Sequence, residues 1–293
     1  MSGAHAVVTG GAGFLGSHLV DALLSDGYRV TALDNFGSGS DENLNHVDDE
    51  AFETRTHDIR EPLPSFESVE QIYHFASRAS PKDFQSHAVE IAETNSLGAK
   101  NVFEAALAND ARVVLASTSE VYGDPEVHPQ SETYNGNVNV RGQRAPYDES
   151  KRFAEALAVA YDREHDVDIR TIRIFNTYGP RMRPDDGRVI PTFIRQALEG
   201  EDLTVYGDGS QTRSFCYVDD LIRGLRALGK RETLSGDGVN IGSTNEITIS
   251  TLAEVVRDAA DTDVDIVHEP PPEDDPQQRQ PDIGKARQLL DWE

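Results

Sequence analysis

Short apolar runs alternate with longer segments of helical spacing through the first half of the chain. Residues 5–9 read as a strand and 14–26 as a helix, with further strands at 29–33, 71–75 and 112–116. Between the last two, Leu97, Val102, Phe103 and Ala106 give residues 92–109 helical spacing. Residues 147–163 read as a long helix, followed by a strand at 168–174. Strands alternating with helices in this way imply a parallel sheet covered on both faces. The class expected is α/β, a Rossmann-type doubly wound parallel sheet with a smaller C-terminal α/β lobe.

That lobe is expected because the pattern changes after Asn176. Pro180, Pro184, Gly187, Pro191, Gly200, Gly207 and Gly209 punctuate shorter elements, and 270–276 reads as an acidic, proline-rich loop. Residues 1–176 are expected to form a dinucleotide-binding domain and 177–293 mainly a substrate-binding lobe. Segments around 216–243 are expected to return to the first domain.

Charge then narrows the partners. Fifty-two Asp and Glu stand against 27 Lys and Arg, a formal charge of −25. Such a surface repels nucleic acid and anionic membrane, so neither is an expected partner. The acids are spread along the chain, at 48–50, 261–265 and 273–275 among others, a distribution that suits life at high salt. Cys216 is the only cysteine, which excludes an intrachain disulfide and a thiolate metal cluster, and no metal is expected. Met1 leads into Ala6-Val7-Val8 without a charged leader, and no apolar run approaches the ~20 residues of a membrane span. A cytoplasmic location is the expectation.

The first chemical signal is Gly10-x-x-Gly13-x-x-Gly16, with Phe14 and Leu15 inside it, between a strand and a helix. Glycines there let the backbone approach a pyrophosphate, whose charge sits at the helix N-terminus. Asp34 follows Gly16 by eighteen residues, at a strand end, where a carboxylate meets the adenosine ribose hydroxyls. Because it would repel a 2′-phosphate, NAD is expected rather than NADP.

The second signal is Tyr147 and Lys151, four residues apart and on one helix face. A cationic Lys beside a phenol favours phenolate, so a lowered Tyr147 pKa is expected, suiting a base for an alcohol proton. Ser117-Thr118-Ser119 lies just past the strand at 112–116, where ligands sit in doubly wound folds.

With these motifs the chain resembles the extended short-chain dehydrogenase/reductase family, from about residue 6 to 292. The resemblance implies NAD-dependent oxidation of a sugar carbon, usually C4, of a nucleotide-linked sugar. It implies Thr118, Tyr147 and Lys151 as the catalytic set. Asn35, Phe36, Ser38, Gly39, Asp58, Ile59, Ala76 and Ser117 would join the glycine turn, Asp34, Tyr147 and Lys151 around the cofactor.

Glu120 bears on which branch. The 4,6-dehydratases carry Asp-Glu beside the Thr, the Asp protonating a departing hydroxyl. Here Ser119 replaces that Asp, and a C5 acid/base without such an acid suits loss of CO2. Residues 117–125, 173–182, 184–189, 203–215 and 274–283 resemble the UDP-glucuronate decarboxylase branch. That branch implies Arg279 as the reader of the substrate carboxylate. It also implies Ser119, Asn176, Arg181, Arg188, Tyr206, Gln211 and Arg213 around a UDP-sugar, UDP-glucuronic acid being the one expected. Arg suits phosphate and carboxylate by its planar fork of donors. A homodimer paired through the helices at 92–109 and 147–163 is likewise implied. A 4-epimerase or 4,6-dehydratase, and more distantly a non-catalytic NAD-binding scaffold, remain alternatives. Arg78, Asn135 and Ser150 depart from the branch pattern. The sequence also ends at Trp292-Glu293, where a further C-terminal segment is implied.

Overall fold

The computed structural model describes residues 3–232, 234–270 and 278–293. Much of the expected acidic loop, 271–277, lies outside the described residues.

In chain order the first elements are β1 (His5–Thr9), α1 (Phe14–Ser25), β2 (Arg29–Asp34), β3 (Phe52–Thr56) and β4 (Val69–His74). They are followed by α2 (Asp83–Ser86), α3 (Ala88–Glu93), α4 (Ala99–Asn109), β5 (Arg112–Thr118), α5 (Ala145–His165) and β6 (Ile169–Ile174). Next come β7 (Thr177–Tyr178), α6 (Val189–Glu199), β8 (Leu203–Tyr206), β9 (Thr212–Ser214), β10 (Cys216–Tyr217), α7 (Val218–Lys230) and β11 (Gly238–Ile241). The chain closes with β12 (Glu246–Thr248), α8 (Ile249–Ala259), β13 (Ile266–Glu269), β14 (Gln278–Arg279) and α9 (Gly284–Leu290).

Among the described residues one parallel sheet carries seven strands in the order β11-β6-β5-β4-β1-β2-β3. Alternate residues of each strand feed opposite faces. Ala6 and Val8 join α1, α7 and α9 in one core, through Leu19, Leu23, Leu221, Leu225 and Leu290. Val7 joins α4 and α5 in the other, through Val102, Phe103, Ala154 and Tyr161. This is the doubly wound sheet expected from the alternation of elements. The strand order reverses between β1 and β4, and the crevice at their C-terminal ends is where such sheets bind ligands.

Three local differences have physical causes. Residues 52–56 form an edge strand that the apolar pattern does not mark, because its side chains alternate between half-buried and exposed. The segment expected as one helix at 92–109 is α3 and α4 joined through a π-helical turn, Thr94–Gly98. Helix α5 begins two residues earlier than expected, with Pro146 in its first turn, where a missing N–H is harmless.

A separate small core of Ile190, Phe193, Leu203, Val205, Ile249 and Leu252 binds α6, β8 and α8 together. Around it β13 pairs with β8, while β9 pairs with β12 and β14. Between these elements α7 packs on α1, and β11 extends the main sheet beside β6.

Candidate active site

The crevice at the switch point is lined by Gly10, Gly13, Phe14, Leu15, Gly16, Asp34, Asn35, Ser38, Asp58, Ile59 and Ala76. Gly10 turns through the left-handed region at φ 72°. A Cβ there would stand 2.8 Å from the Ala76 amide nitrogen, and one at Gly16 only 2.1 Å from the Gly10 carbonyl oxygen. The turn therefore needs both glycines to bring backbone to the floor of the cleft. Asp34 closes β2, accepting from the amides of Ala12 at 3.0 Å and Phe36 at 2.8 Å. Burial raises its proton affinity, and those amides offset part of the effect. A bare glycine turn at a helix N-terminus, with a carboxylate across from it, fits NAD. Phe36 and Gly39 sit against Asp34 beside the cleft. Ser117 directs its hydroxyl to Glu155 instead of the cleft.

Thr118 ends β5, and its hydroxyl caps the next turn by accepting from the Glu120 amide at 3.2 Å. Tyr147 and Lys151 come from the first turns of α5, both buried. The Thr118 hydroxyl lies close enough to the Tyr147 phenol to favour its ionised form. The Lys151 Nζ donates to the Ala116 carbonyl at 2.9 Å and lies 6.0 Å from the Tyr147 ring centre. The geometry expected from the spacing is present, but the expected phenolate is not. Burial pushes Tyr147 up to about 12, against opposing pulls from Thr118 and Arg188. Burial likewise brings Lys151 down to about 8, which weakens the cation that was to stabilise the phenolate.

Beside this pair lies a knot of charge. Arg279, on β14 and 4% exposed, donates through Nη1 to Glu120 and through Nη2 to the Gly123 carbonyl at 2.9 Å. Arg144, just before α5, donates to the other oxygen of Glu120. Burial alone would raise the Glu120 pKa, but Arg144 and Arg279 together hold it well below the usual carboxylate range. Asp148 is also buried, and its Oδ2 stands 4.0 Å from the Arg144 Nε. Its Oδ1 is buried without a hydrogen-bond partner. Burial and the neighbouring Glu120 charge push Asp148 well above the usual range. The α5 N-terminus favours an anion by ~1 kcal/mol or less. Leaving a buried carboxylate oxygen unpaired costs more, roughly 1–3 kcal/mol or above. Burial outweighs the helix end, and Asp148 is the member of the carboxyl pair that holds a proton more readily.

A family model described as the NAD dependent epimerase/dehydratase family matches residues 6–242. The chain belongs to this family. It is 50% identical to UDP-glucuronic acid decarboxylase 1 of Xenopus tropicalis over 98% of its own length and 68% of that protein. A UDP-N-acetylglucosamine 4-epimerase from Methanobrevibacter ruminantium superposes with a TM-score of 0.91 at 28% identity, over all of this chain and 93% of the other. A dTDP-glucose 4,6-dehydratase from Streptomyces venezuelae, solved with NAD bound, superposes at 0.88 and 30% identity, over 99% and 91%.

Within this epimerase/dehydratase frame the remaining expected residues divide. Thr118, Glu120, Tyr147, Lys151 and Arg279 come together, and the charge of Arg213 also reaches Glu120. Ser119 is buried in the turn beside them. Arg188 bonds Asp186 at 3.0 Å and the Ala79 carbonyl at 2.5 Å, at the rim of the cleft. The backbone carbonyl of Asn176 accepts from Cys216 at 2.8 Å. Tyr206 is 45% exposed, and Gln211 donates to its carbonyl at the outer end of the second lobe. Arg181, expected at UDP, lines the cleft and is paired with Asp21 on α1 at 2.7 Å. The left-handed backbone at this residue, φ 66°, accompanies that pairing. Arg78 lines the cleft, held by Glu90 at 3.0 Å and by Asp83 at 3.8 Å. Two members of the site carried no expectation. Asp148 lies inside the Tyr147–Lys151 stretch and could have been noticed as an acid beside the base. Arg144 sits before the helix in a stretch with no periodicity, and nothing local marks it.

Proposed function

We propose that the chain is an NAD-dependent decarboxylase that converts UDP-glucuronic acid to UDP-xylose through a 4-keto sugar. The observation that carries this reading is the buried Glu120–Arg279 pair beside Thr118 and Tyr147. When bound, NAD supplies the oxidant for C4 and afterwards the reductant, and is unchanged over the cycle. The glycine turn and Asp34 would hold it.

Thr118 and Tyr147 hold the C4 oxygen, and Tyr147, once it has given up its own proton beside a charged Lys151, takes the proton of the C4 hydroxyl. Lys151, tied to the Ala116 carbonyl, orients the phenol from below. Once C4 is a ketone, the C5–carboxylate bond can break with its electrons delocalised into that ketone. The same two hydroxyls then face the oxygen on which charge develops. Arg279 receives the carboxylate in exchange for part of its contact with Glu120. Ser119 offers no acid for a departing hydroxyl, and CO2 needs none.

The chain is also read as a cytoplasmic homodimer adapted to high salt. Val89, Leu97 and Phe153 are 73%, 52% and 51% exposed, on or beside the helices at 92–109 and 147–163, and pairing would cover them.

The deciding experiment is incubation with NAD and UDP-glucuronic acid, followed by CO2 capture and product identification. CO2 and UDP-xylose in equal amounts are expected. UDP-galacturonic acid without CO2 would make the chain a 4-epimerase and overturn the reading.

A further inference from the structure

The decarboxylation just proposed consumes a proton. A carboxylate leaves as CO2, its bonding electrons remain on the sugar, and C5 must gain a hydrogen. Glu120 is placed to deliver it but does not hold one in the resting enzyme. Arg144 and Arg279 bind its two oxygens and keep it ionised. The proton has to be stored elsewhere, within reach of Glu120 and away from bulk water.

We propose that Asp148 stores, as a neutral carboxyl beside Arg144, the proton that Glu120 passes to C5. The inference rests on the decarboxylase reading. Its geometry is a shared guanidinium: Arg144 donates to Glu120 through Nη2 and has Asp148 Oδ2 4.0 Å from Nε. The other Asp148 oxygen is buried and without a partner, a position suited to a neutral acid. The raised proton affinity of Asp148, caused by burial and the Glu120 charge, agrees.

Among the surrounding charges Arg144 and Arg279 favour the ionised form of Asp148, while burial, Glu120 and Glu149 favour the protonated one and prevail. On α5, Glu149 is paired with Arg152 at 3.5 Å. From α2 and α3, Asp83 faces Arg78 and Arg183, while Glu90 faces Arg78 and His87. Phe84 covers the same end of the helix, stacked on Tyr147 with ring centres 5.0 Å apart.

The step balances as follows. An arriving carboxylate draws Arg279 from Glu120, whose proton affinity rises. The Asp148 O–H bond breaks as a Glu120 O–H bond forms, the proton crossing beside Arg144 through one water because the guanidinium itself stays charged. After CO2 departs, that proton joins the electron pair left at C5. Solvent reprotonates Asp148, and the cycle takes up one proton. Two carboxyls with opposed proton affinities are a recurrent way of dividing such work. Asp148 acts through Glu120 and is a positioning and storage residue rather than one that touches the sugar.

The sign for pH follows directly. The neutral form of Asp148 is required, so kcat should fall as pH rises through its raised pKa. Asp148→Asn should lose that limb and lower kcat about a hundredfold, with KM changed less than threefold. In single turnovers it should release CO2 at near the wild-type rate while UDP-xylose lags behind. Asp148→Glu should restore part of the rate together with the pH limb. Melting curves of both variants check that they fold. An Asp148→Asn enzyme with the wild-type pH profile, or with CO2 and UDP-xylose slowed together, would overturn the storage role. Wild-type enzyme that releases no CO2 would overturn the decarboxylase reading itself, and the inference with it.

Discussion

Arg279 is placed 159 residues from Glu120 in sequence and in direct contact with it in the fold. The proposed function leans on it more than on any other side chain. If it reads the substrate carboxylate, Arg279→Ala should weaken UDP-glucuronic acid by about ten- to a hundredfold, the usual effect of losing a charge-assisted bond. UDP and UDP-xylose, which lack the carboxylate, should bind nearly as before. Lys at this position should recover only part of the loss, keeping the charge without the fork. Calorimetric titration of the three ligands makes the comparison, and equal weakening of all three would leave Arg279 a structural support for Glu120. At this scale the glycine turn, Asp34, and the Tyr147–Lys151 pair were legible because each is a local spacing. The protonation of Tyr147 was not, since it is set by burial, and spacing contains no burial. Arg144 and the raised proton affinity of Asp148 were hidden for the same reason, their environment being assembled from α5, the Glu120 turn and β14.

Among elements, α7 shows how the second half of the chain is anchored to the first sheet. Its last carbonyls are capped from the sheet rather than by a local motif. Arg170, fully buried on β6, donates to the Leu228 carbonyl at 2.7 Å, and Arg112 on β5 donates to that of Gly229 at 2.7 Å. Asp168 pairs with both guanidiniums. Positive charge at a helix C-terminus is favourable, and here it is also buried and paired. Replacing Arg170 with Met leaves the Leu228 carbonyl and one oxygen of Asp168 without their donor, and should cost roughly 3 kcal/mol in urea unfolding. A loss below ~1 kcal/mol would mean that Arg112 alone holds the cap. The strands and helices of the main sheet could be read from their periods. Helices α6 and α8 could not, because the surrounding Pro and Gly suggested only short elements. The two-residue strands β7, β10 and β14 are shorter than any period, and only their partners define them.

For the whole molecule the dominant quantity is the charge of −25. If it reflects a high-salt setting, the melting temperature should rise between low and molar KCl, as the screening length shrinks from ~10 Å at 0.1 M to ~3 Å at 1 M. A falling curve would mean that pairs such as Arg226–Asp26 and Lys82–Asp185 outweigh the general repulsion. The doubly wound class was legible because strand–helix alternation admits few other architectures. The path of the chain after β6 was harder to see: it builds β7 and α6, comes back for α7 and β11, and departs again for β12 and α8. The seam of that path passes through β10, where Cys216 is buried and its amide is bonded to Asn176. Burial pushes this thiol up to about 12, so in the closed molecule it resists alkylation. Being the chain's single thiol, it is a built-in optical and mass-spectrometric gauge. Its labelling rate, with and without a nucleotide sugar, times the breathing of the seam with no engineered probe.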